Sequence, residues 1–283
     1  MAITVTPLSE AIGAEISGVD LAAELDPATA AAIKTALAEH VVLLFRNQDF
    51  GPEDQLRFAR YLGPVADRPK PAGYVIPKSS NRTPGIAFVS NIRDEDGKPI
   101  GVIPDGEMWF HHDTTYKEVP DRATMLYSIE VPESGGHTMW ANMYRAYDSL
   151  PAEIKRTLEG KLALNVYDYA VTEQVDLGDG PIDAEHARHP AVITHPVTGK
   201  KALFVSRLMS VRLEGMERPE SDAVLATCFD HAERADIVYE HQWAVSDFVV
   251  WDNLASTHAR TDFPMASRRL LRRYKVSGEG INL

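Results

Sequence analysis

Met108-Trp109-Phe110-His111-His112-Asp113-Thr114-Thr115-Tyr116 is the stretch on which the reading of this chain turns, because it contains a His-X-Asp. Side chains on a β-strand alternate with period two, so on a strand His111 and Asp113 share one face and His112 points to the other. Two ligands at that spacing, with a third histidine far downstream, are what the 2-His-1-carboxylate facial triad of a non-haem Fe(II) site requires. Taken alone, His-X-Asp fits a solvated polar pair on a surface strand just as well.

The surrounding chain has 283 residues, enough for a sizeable core, and barrel-like architectures reach roughly 200–250 residues as one domain. Its net charge of −12, from 29 basic and 41 acidic residues, argues against a general nucleic-acid binder. An anionic substrate would therefore need a local basic pocket. Cys228 is the only cysteine, so no intrachain disulfide can form; a buried small apolar residue in a reducing compartment is the expectation. Residues 1–13 lack a basic patch followed by an apolar run, and no signal peptide is expected. Runs such as Val41-Val42-Leu43-Leu44-Phe45 are far too short to span a bilayer. A soluble, cytoplasmic protein with no membrane or nucleic-acid partner is the expected class.

Along the chain, residues 3–5 and 13–21 read as strand and turn, and Asp26-Pro27 as the N-cap and first turn of a helix with Ala30, Ile33 and Leu37 inward. Residues 41–45 form a continuous apolar run of buried-strand length. A second helix starts near Pro52, with Leu56, Ala59 and Leu62 inward, and stops at Gly63-Pro64. From 67 to 103 the pattern is irregular apart from a strand at 86–89, and the segment is expected to act as a lid or substrate loop. Further strands are expected at 123–129, 192–194, 202–205, 238–243, 248–251 and 270–276. Gly135-Gly136 reads as a turn between strands, and 173–188 as a polar, acidic loop. Helices are expected at 143–149, 151–159 and 219–234, the last with Val224, Leu225, Cys228, Phe229 and Ala232 on one side. Many short strands with early and mid-chain helices predict a mainly β fold with flanking helices.

The C-terminal part raises the value of the His-X-Asp. His258 follows Trp251-Asp252-Asn253, where a buried strand gives way to a loop. In Ser267-Arg268-Arg269-Leu270-Leu271-Arg272-Arg273-Tyr274, alternation puts Arg269, Leu271 and Arg273 on one face and Arg268, Leu270 and Arg272 on the other. Two guanidinium groups on one face can each hold a carboxylate or sulfonate in a bidentate pair; an edge strand with its charges in water would show the same pattern.

The set His111-X-Asp113, Gly135-Gly136-X-Thr138, Trp251-Asp252-Asn253, His258, Arg269 and Arg273 resembles the taurine dioxygenase (TauD/TfdA-like) family of Fe(II)/2-oxoglutarate-dependent dioxygenases. The likeness covers nearly the whole chain, including Leu44-Phe45-Arg46-Asn47-Gln48 and His195-Pro196-Val197-Thr198-Gly199-Lys200, and Arg-Arg-Leu-Leu-Arg-Arg at 268–273 looks most like the aryloxyacetate dioxygenase branch. The resemblance implies a double-stranded β-helix (jelly-roll) core in a single domain over 1–283. It implies that His111, Asp113 and His258 are the iron ligands and that Thr138 and Arg269 hold the distal carboxylate of 2-oxoglutarate. Arg273 matches the position that grips the anionic group of the prime substrate. The implied reaction, with Fe(II) as cofactor and 2-oxoglutarate and O2 as cosubstrates, hydroxylates a small organic anion (an aryloxyalkanoate, other carboxylate or sulfonate) and releases succinate and CO2. Asp113 fills the position that halogenating relatives leave open, so hydroxylation is expected rather than halogenation. A homo-oligomer, dimer or tetramer, is implied by resemblance alone.

The chain departs from the family pattern at His137, where many relatives have Asp, and at Trp109-Phe110, which replaces an Asn-Trp pair; both argue against taurine itself. His112 reads as a histidine facing away from the metal, His195 as structural, and Trp251 and Tyr116 as packing. Two rival readings keep the same residues: a non-catalytic jelly-roll module binding a small ligand, and a zinc-dependent hydrolase using the same His/Asp/His set.

Overall fold

A computed structural model describes residues 3–66, 85–102, 106–168, 170–175 and 182–281. Its first helix, α1 (Pro27–His40), starts where the sequence places it: Asp26 accepts from the amides of Ala28 and Thr29, a cap worth about 1 kcal/mol, and Pro27 needs no donor at that position. The second, α2 (Pro52–Leu62), buries Gln55, Leu56, Phe58 and Ala59. Both helices cover one face of a seven-stranded sheet. Its order is β1 (Thr4–Pro7), β2 (Ala14–Ser17), β3 (Val42–Phe45), β14 (Phe248–Asp252), β6 (Ala123–Glu130), β16 (Leu270–Val276) and β4 (Ala87–Ser90), antiparallel except between β2 and β3.

The register of this sheet sorts its side chains into two layers. Leu43, Phe45, Met125, Phe248, Val250 and Tyr274 pack with Ile33, Leu37, Leu56 and Phe58 under the helices. Val42, Leu44, Leu126, Val249, Trp251 and Leu271 point the other way, into a core shared with a second sheet. That sheet runs β13 (Val238–His241), β7 (Thr138–Asn142), β15 (Ser256–Arg260) and β5 (Met108–His111). Trp140 of β7 meets Trp251 of β14 edge to face, with ring centroids 5.5 Å apart, and the pair fills the space between the sheets. This is the expected jelly-roll core, mainly β with flanking helices.

Around it, α3 (Met143–Ser149) and α5 (Arg218–Ala232) pack on β11 (Lys201–Leu203) and β12 (Ser210–Leu213), and α4 (Ala152–Leu158) leads into β8 (Leu162–Tyr167). The apolar face of α5 buries Val224, Leu225, Cys228, Phe229 and Ala232, as the periodicity predicts. β10 (Val192–Thr194) and β11 form the expected hairpin. No helix among the described residues is long and apolar enough to cross a membrane.

Two expectations change. The acidic loop placed at 173–188 is in part a strand: β9 (Glu185–Pro190) pairs with β8, and β12 closes the other side of that three-stranded sheet. Only Ala187 and His189 of β9 face inward, so four of its six positions carry the polarity of a loop. His258 lies within strand β15 and not in a loop. Of the lid expected at 67–103, residues 67–84 and 103 lie outside the described residues; the rest contains β4 and a turn closed by Gly97 donating to Asp94. The Gly135-Gly136 turn does require glycine. Gly135 has φ +70°, and a Cβ there would lie 2.2 Å from the carbonyl oxygen of Asp262.

Candidate metal centre

Strand β5 ends at His111, and Asp113 lies in the turn beyond it, so the two do not meet through strand alternation. A turn brings them together instead. Thr114 adopts φ +61°, and the Asn253 side chain clamps the backbone ahead of it. Asn253 Oδ1 accepts from the Asp113 amide at 2.6 Å, while Nδ2 donates to the carbonyls of Asp113 (2.9 Å) and Asp121 (2.8 Å). All four residues around this clamp are buried, and each backbone group left without its partner would cost about 1–3 kcal/mol. The Trp251-Asp252-Asn253 turn is held in its own right. His195 Nδ1 accepts from the amides of Val197 and Thr198, so its Nε2 donates to Asp252 (3.1 Å), where the Arg122 guanidinium also pairs (2.9 Å). His195 is structural, as expected.

His258 stands directly opposite His111 in the β15–β5 register. Their ring centroids are 4.1 Å apart, and the candidate ligand atoms of His111, Asp113 and His258 all lie within 4.8 Å of one another, the one such His/Cys/Asp/Glu group among the described residues. Trp109 contributes a carbonyl 2.8 Å from His111 Nδ1; a carbonyl only accepts, so Nδ1 carries the proton and Nε2 keeps its lone pair. His258 Nδ1 is buried with no hydrogen-bond partner among the described residues. His112 points away: its Nδ1 lies 2.8 Å from the Asn253 carbonyl and its ring packs on Phe204. Burial pushes it down to about 4 and keeps it neutral.

The charges suit a dication. Burial holds His111 and His258 below the ordinary histidine range, and for His258 the neighbouring His111 acts in the same direction. Burial works against the Asp113 carboxylate, but the Lys275 ammonium, with the Arg273 guanidinium adding to it, holds Asp113 well below the usual range. Two neutral imidazoles and an ionised carboxylate are the protonation states that metal ligation needs. Both Asp113 oxygens are oriented by protein groups: Lys275 Nζ donates to Oδ1 and Thr124 Oγ1 to Oδ2, each at 2.6 Å. Lys275 also pairs with the fully buried Asp121 at 3.3 Å.

Among the described residues, Arg269 is a buried cation with no anion beside it. Arg269, 2% exposed, donates from Nε to the Gly136 carbonyl at 3.3 Å, and its Nη1 is buried without a partner. Burial, with the Arg260 charge adding to it, pushes Arg269 down to about 9, so it is still cationic at neutral pH. Arg260 and Arg269 both lie over the Phe263 ring, at 5.5 and 5.9 Å. Gly136 is two residues before Thr138, which brings Arg269 and Thr138 to the same end of β7. A buried guanidinium so placed calls for a carboxylate or similar anion.

Arg273 shares the inward face of β16 with Lys275 and Leu271, and its Nε is buried without a partner. Arg272 points to the helix side, where it donates to Gln55 Oε1 (2.6 Å) and the Phe50 carbonyl (2.9 Å) and lies 4.6 Å over the Tyr127 ring. Within β16 the alternation read from sequence holds: Arg273 lies on the side of Asp113 and His111, and Arg272 is structural. Beyond β5, Met108, Tyr167, Leu208 and Met209 cluster with Trp109 and Tyr116, an apolar and aromatic wall. His137, at the position that departs from the family, pairs with Glu240 at 2.6 Å.

Sequence reasoning missed Lys275, Thr124, Arg260 and the clamp role of Asn253. Lys275 had a signal, since it lies two residues past Arg273 and so on the same strand face. Thr124 and Arg260 enter through strand register, which no local pattern encodes.

The sequence matches, over residues 4–274, the family described as taurine catabolism dioxygenase TauD, TfdA family. It is 32% identical to pentalenolactone F synthase of Streptomyces avermitilis, over 96% of this chain and 93% of that one. It is 30% identical to the alpha-ketoglutarate-dependent 2,4-dichlorophenoxyacetate dioxygenase of Cupriavidus pinatubonensis, over 96% and 97%. The fold superposes on the crystal structure of AAD-2 in complex with Mn(II) and N-oxalylglycine with a TM-score of 0.82, at 28% identity, covering 100% of this chain and 99% of that one.

Proposed function

The chain belongs to the taurine catabolism dioxygenase TauD, TfdA family, and on that premise we propose that His111, Asp113 and His258 hold its metal, Thr138 and Arg269 receive the distal carboxylate of 2-oxoglutarate, and Arg273 grips an anionic prime substrate. The protein is an Fe(II)- and 2-oxoglutarate-dependent dioxygenase, which couples oxidation of a small organic substrate to conversion of 2-oxoglutarate and O2 into succinate and CO2. The observation that carries the site assignment is the presence of a largely buried His/Asp/His cluster together with Arg269, whose Nη1 has no partner among the described residues.

The chemistry that Fe(II) supplies when bound is chelation of a 2-oxo acid and activation of O2. This chain's residues supply the remainder. Trp109 fixes the His111 tautomer through its carbonyl, and Lys275 and Thr124 fix the Asp113 carboxylate. Arg269 and Thr138, both buried and so shielded from competing water, together offer a cation and a hydroxyl to one carboxylate. Arg273 offers a second, independent cation on the metal side of β16, and the Trp109–Tyr116–Tyr167 wall suits an apolar or aromatic substrate body. Hydroxylation at a carbon bearing an ether oxygen or a sulfonate would make a product that collapses and releases that group. The rival readings, a non-catalytic binding module and a zinc-dependent hydrolase, gain nothing from the relatives. We further read residues 1–283 as one catalytic domain, cytoplasmic, and a homodimer or tetramer in solution.

The substrate assignment is tested by a succinate-release screen over aryloxyalkanoates, alkyl sulfates, sulfonates and N-acyl amino acids. One anionic class is expected to stimulate succinate release. Arg273→Ala is expected to raise KM for that substrate by about 100-fold, the loss of one buried charged hydrogen-bonded pair, with 2-oxoglutarate binding unchanged within about threefold. Weakening of 2-oxoglutarate alone would reverse the roles given to the two arginines.

A further inference from the structure

We propose that Trp243 is a positioning residue for 2-oxoglutarate: its indole N–H fills a lone pair of Thr138 Oγ1 and so turns the Thr138 hydroxyl hydrogen toward the cosubstrate carboxylate. The inference rests on the assignment of Thr138 given above.

Trp243 Nε1 lies 3.0 Å from Thr138 Oγ1, and both side chains are buried. An indole N–H donates and cannot accept, so the hydroxyl is the acceptor in this bond. Its own hydrogen must then point elsewhere, and among the described residues it has no acceptor. The charged groups nearby, Arg269 and Arg260, are donors only and cannot take it. An anion arriving at Arg269 can. Without the indole, the hydroxyl is a free rotor with two open lone pairs, and Arg269 or water could take the role of donor to it.

The indole is itself held in place. His241 stands opposite Thr138 in the β13–β7 register, and Trp243, two residues on, comes back over the same strand. Its ring packs edge to face on Trp140 (6.5 Å, 60°) and on His241 (5.0 Å, 81°). Asp247 Oδ2 closes the segment, accepting from the Ala244 amide at 2.9 Å and lying 3.0 Å from His241 Nε2. A donor held between two rings, on a segment anchored by Asp247, sets the direction of the hydroxyl before any ligand arrives, which is preorganisation rather than an added contact.

The test is a double-mutant cycle with Trp243→Phe, Thr138→Val and the double variant. Binding of 2-oxoglutarate and of N-oxalylglycine to the Mn(II)-loaded protein is measured by calorimetry, independently of turnover. Trp243→Phe is expected to weaken both ligands about three- to tenfold, the value of one hydrogen bond, and to leave Mn(II) affinity unchanged. KM for 2-oxoglutarate should rise by the same factor while kcat at saturation moves less than about twofold. The double variant should bind no more weakly than Thr138→Val alone, because the indole acts through that hydroxyl. If Trp243→Phe perturbs folding, 3-benzothienylalanine at 243 keeps the ring outline, replaces N–H by sulfur, and should give the same loss. Wild-type affinity in Trp243→Phe, or a double variant that loses the product of the two single effects, overturns the inference and leaves the Thr138 assignment standing. An unchanged affinity in Thr138→Val removes that assignment and the inference with it.

Discussion

Replacing Asp113 with Ala is expected to abolish succinate formation and to weaken Mn(II) or Fe(II) binding by well over about 100-fold. Removing a group that merely orients a metal ligand costs about 10- to 100-fold, and Asp113 is the only anionic ligand of the proposed three. Two neutral imidazoles would remain, held by burial in the uncharged form. The loss should not come from unfolding. Lys275 keeps its pairing with Asp121, and the Asn253 clamp grips the backbone of residue 113, which alanine retains. Metal titration by calorimetry and succinate release measure the two effects, with circular dichroism as the folding control. A variant that binds metal as the wild type does would remove Asp113 from the ligand set.

The second large effect is expected at Arg269, and it has two signs. Arg269→Met should raise the dissociation constant of 2-oxoglutarate by about 10²–10³-fold, because removing one partner of a buried charge pair costs about 3–5 kcal/mol and each 1.4 kcal/mol is a factor of ten. Without ligand, however, Arg269 is a buried cation beside Arg260 with an unpartnered Nη1. Methionine fills much of the same volume with no charge to desolvate, so the melting temperature of the ligand-free protein should stay level or rise. Burial displaces Arg269 from the ordinary arginine range down to about 9, so its cost to the fold is present in full below pH 9 and is relieved only as pH rises above that. At neutral pH the substitution therefore removes an unfavourable group. A large fall in melting temperature would show that Arg269 is a structural support and not a ligand group.

Much of this organisation could be read from the chain, and the limits have physical reasons. Helix caps and amphipathic faces are local, so α1 and α5 were placed with their buried residues. Strand alternation is also local, and it separated Arg273 from Arg272 before any packing was known. The family resemblance implies the proposed ligands, but strand alternation is not what brings His111 and Asp113 together. They meet through a turn with Thr114 at positive φ, clamped by an asparagine 140 residues away. Contacts of that kind depend on which strands lie next to each other. The same holds for Thr124 beneath Asp113, for Trp243 on Thr138 and for Arg260 beside Arg269. β9 was read as loop because its outward face is polar, and its pairing with β8 is what makes it a strand.

The most direct test of the account is an anaerobic titration of 2-oxoglutarate into the Fe(II)-loaded protein, followed by visible absorption. The account predicts a metal-to-ligand charge-transfer band that saturates at one equivalent per chain, fails to form in Asp113→Ala, and needs far more 2-oxoglutarate in Arg269→Met. Absence of the band in wild-type protein that demonstrably holds one Fe(II), or its persistence in Asp113→Ala, would contradict the assignment of His111, Asp113 and His258 as the centre of this enzyme.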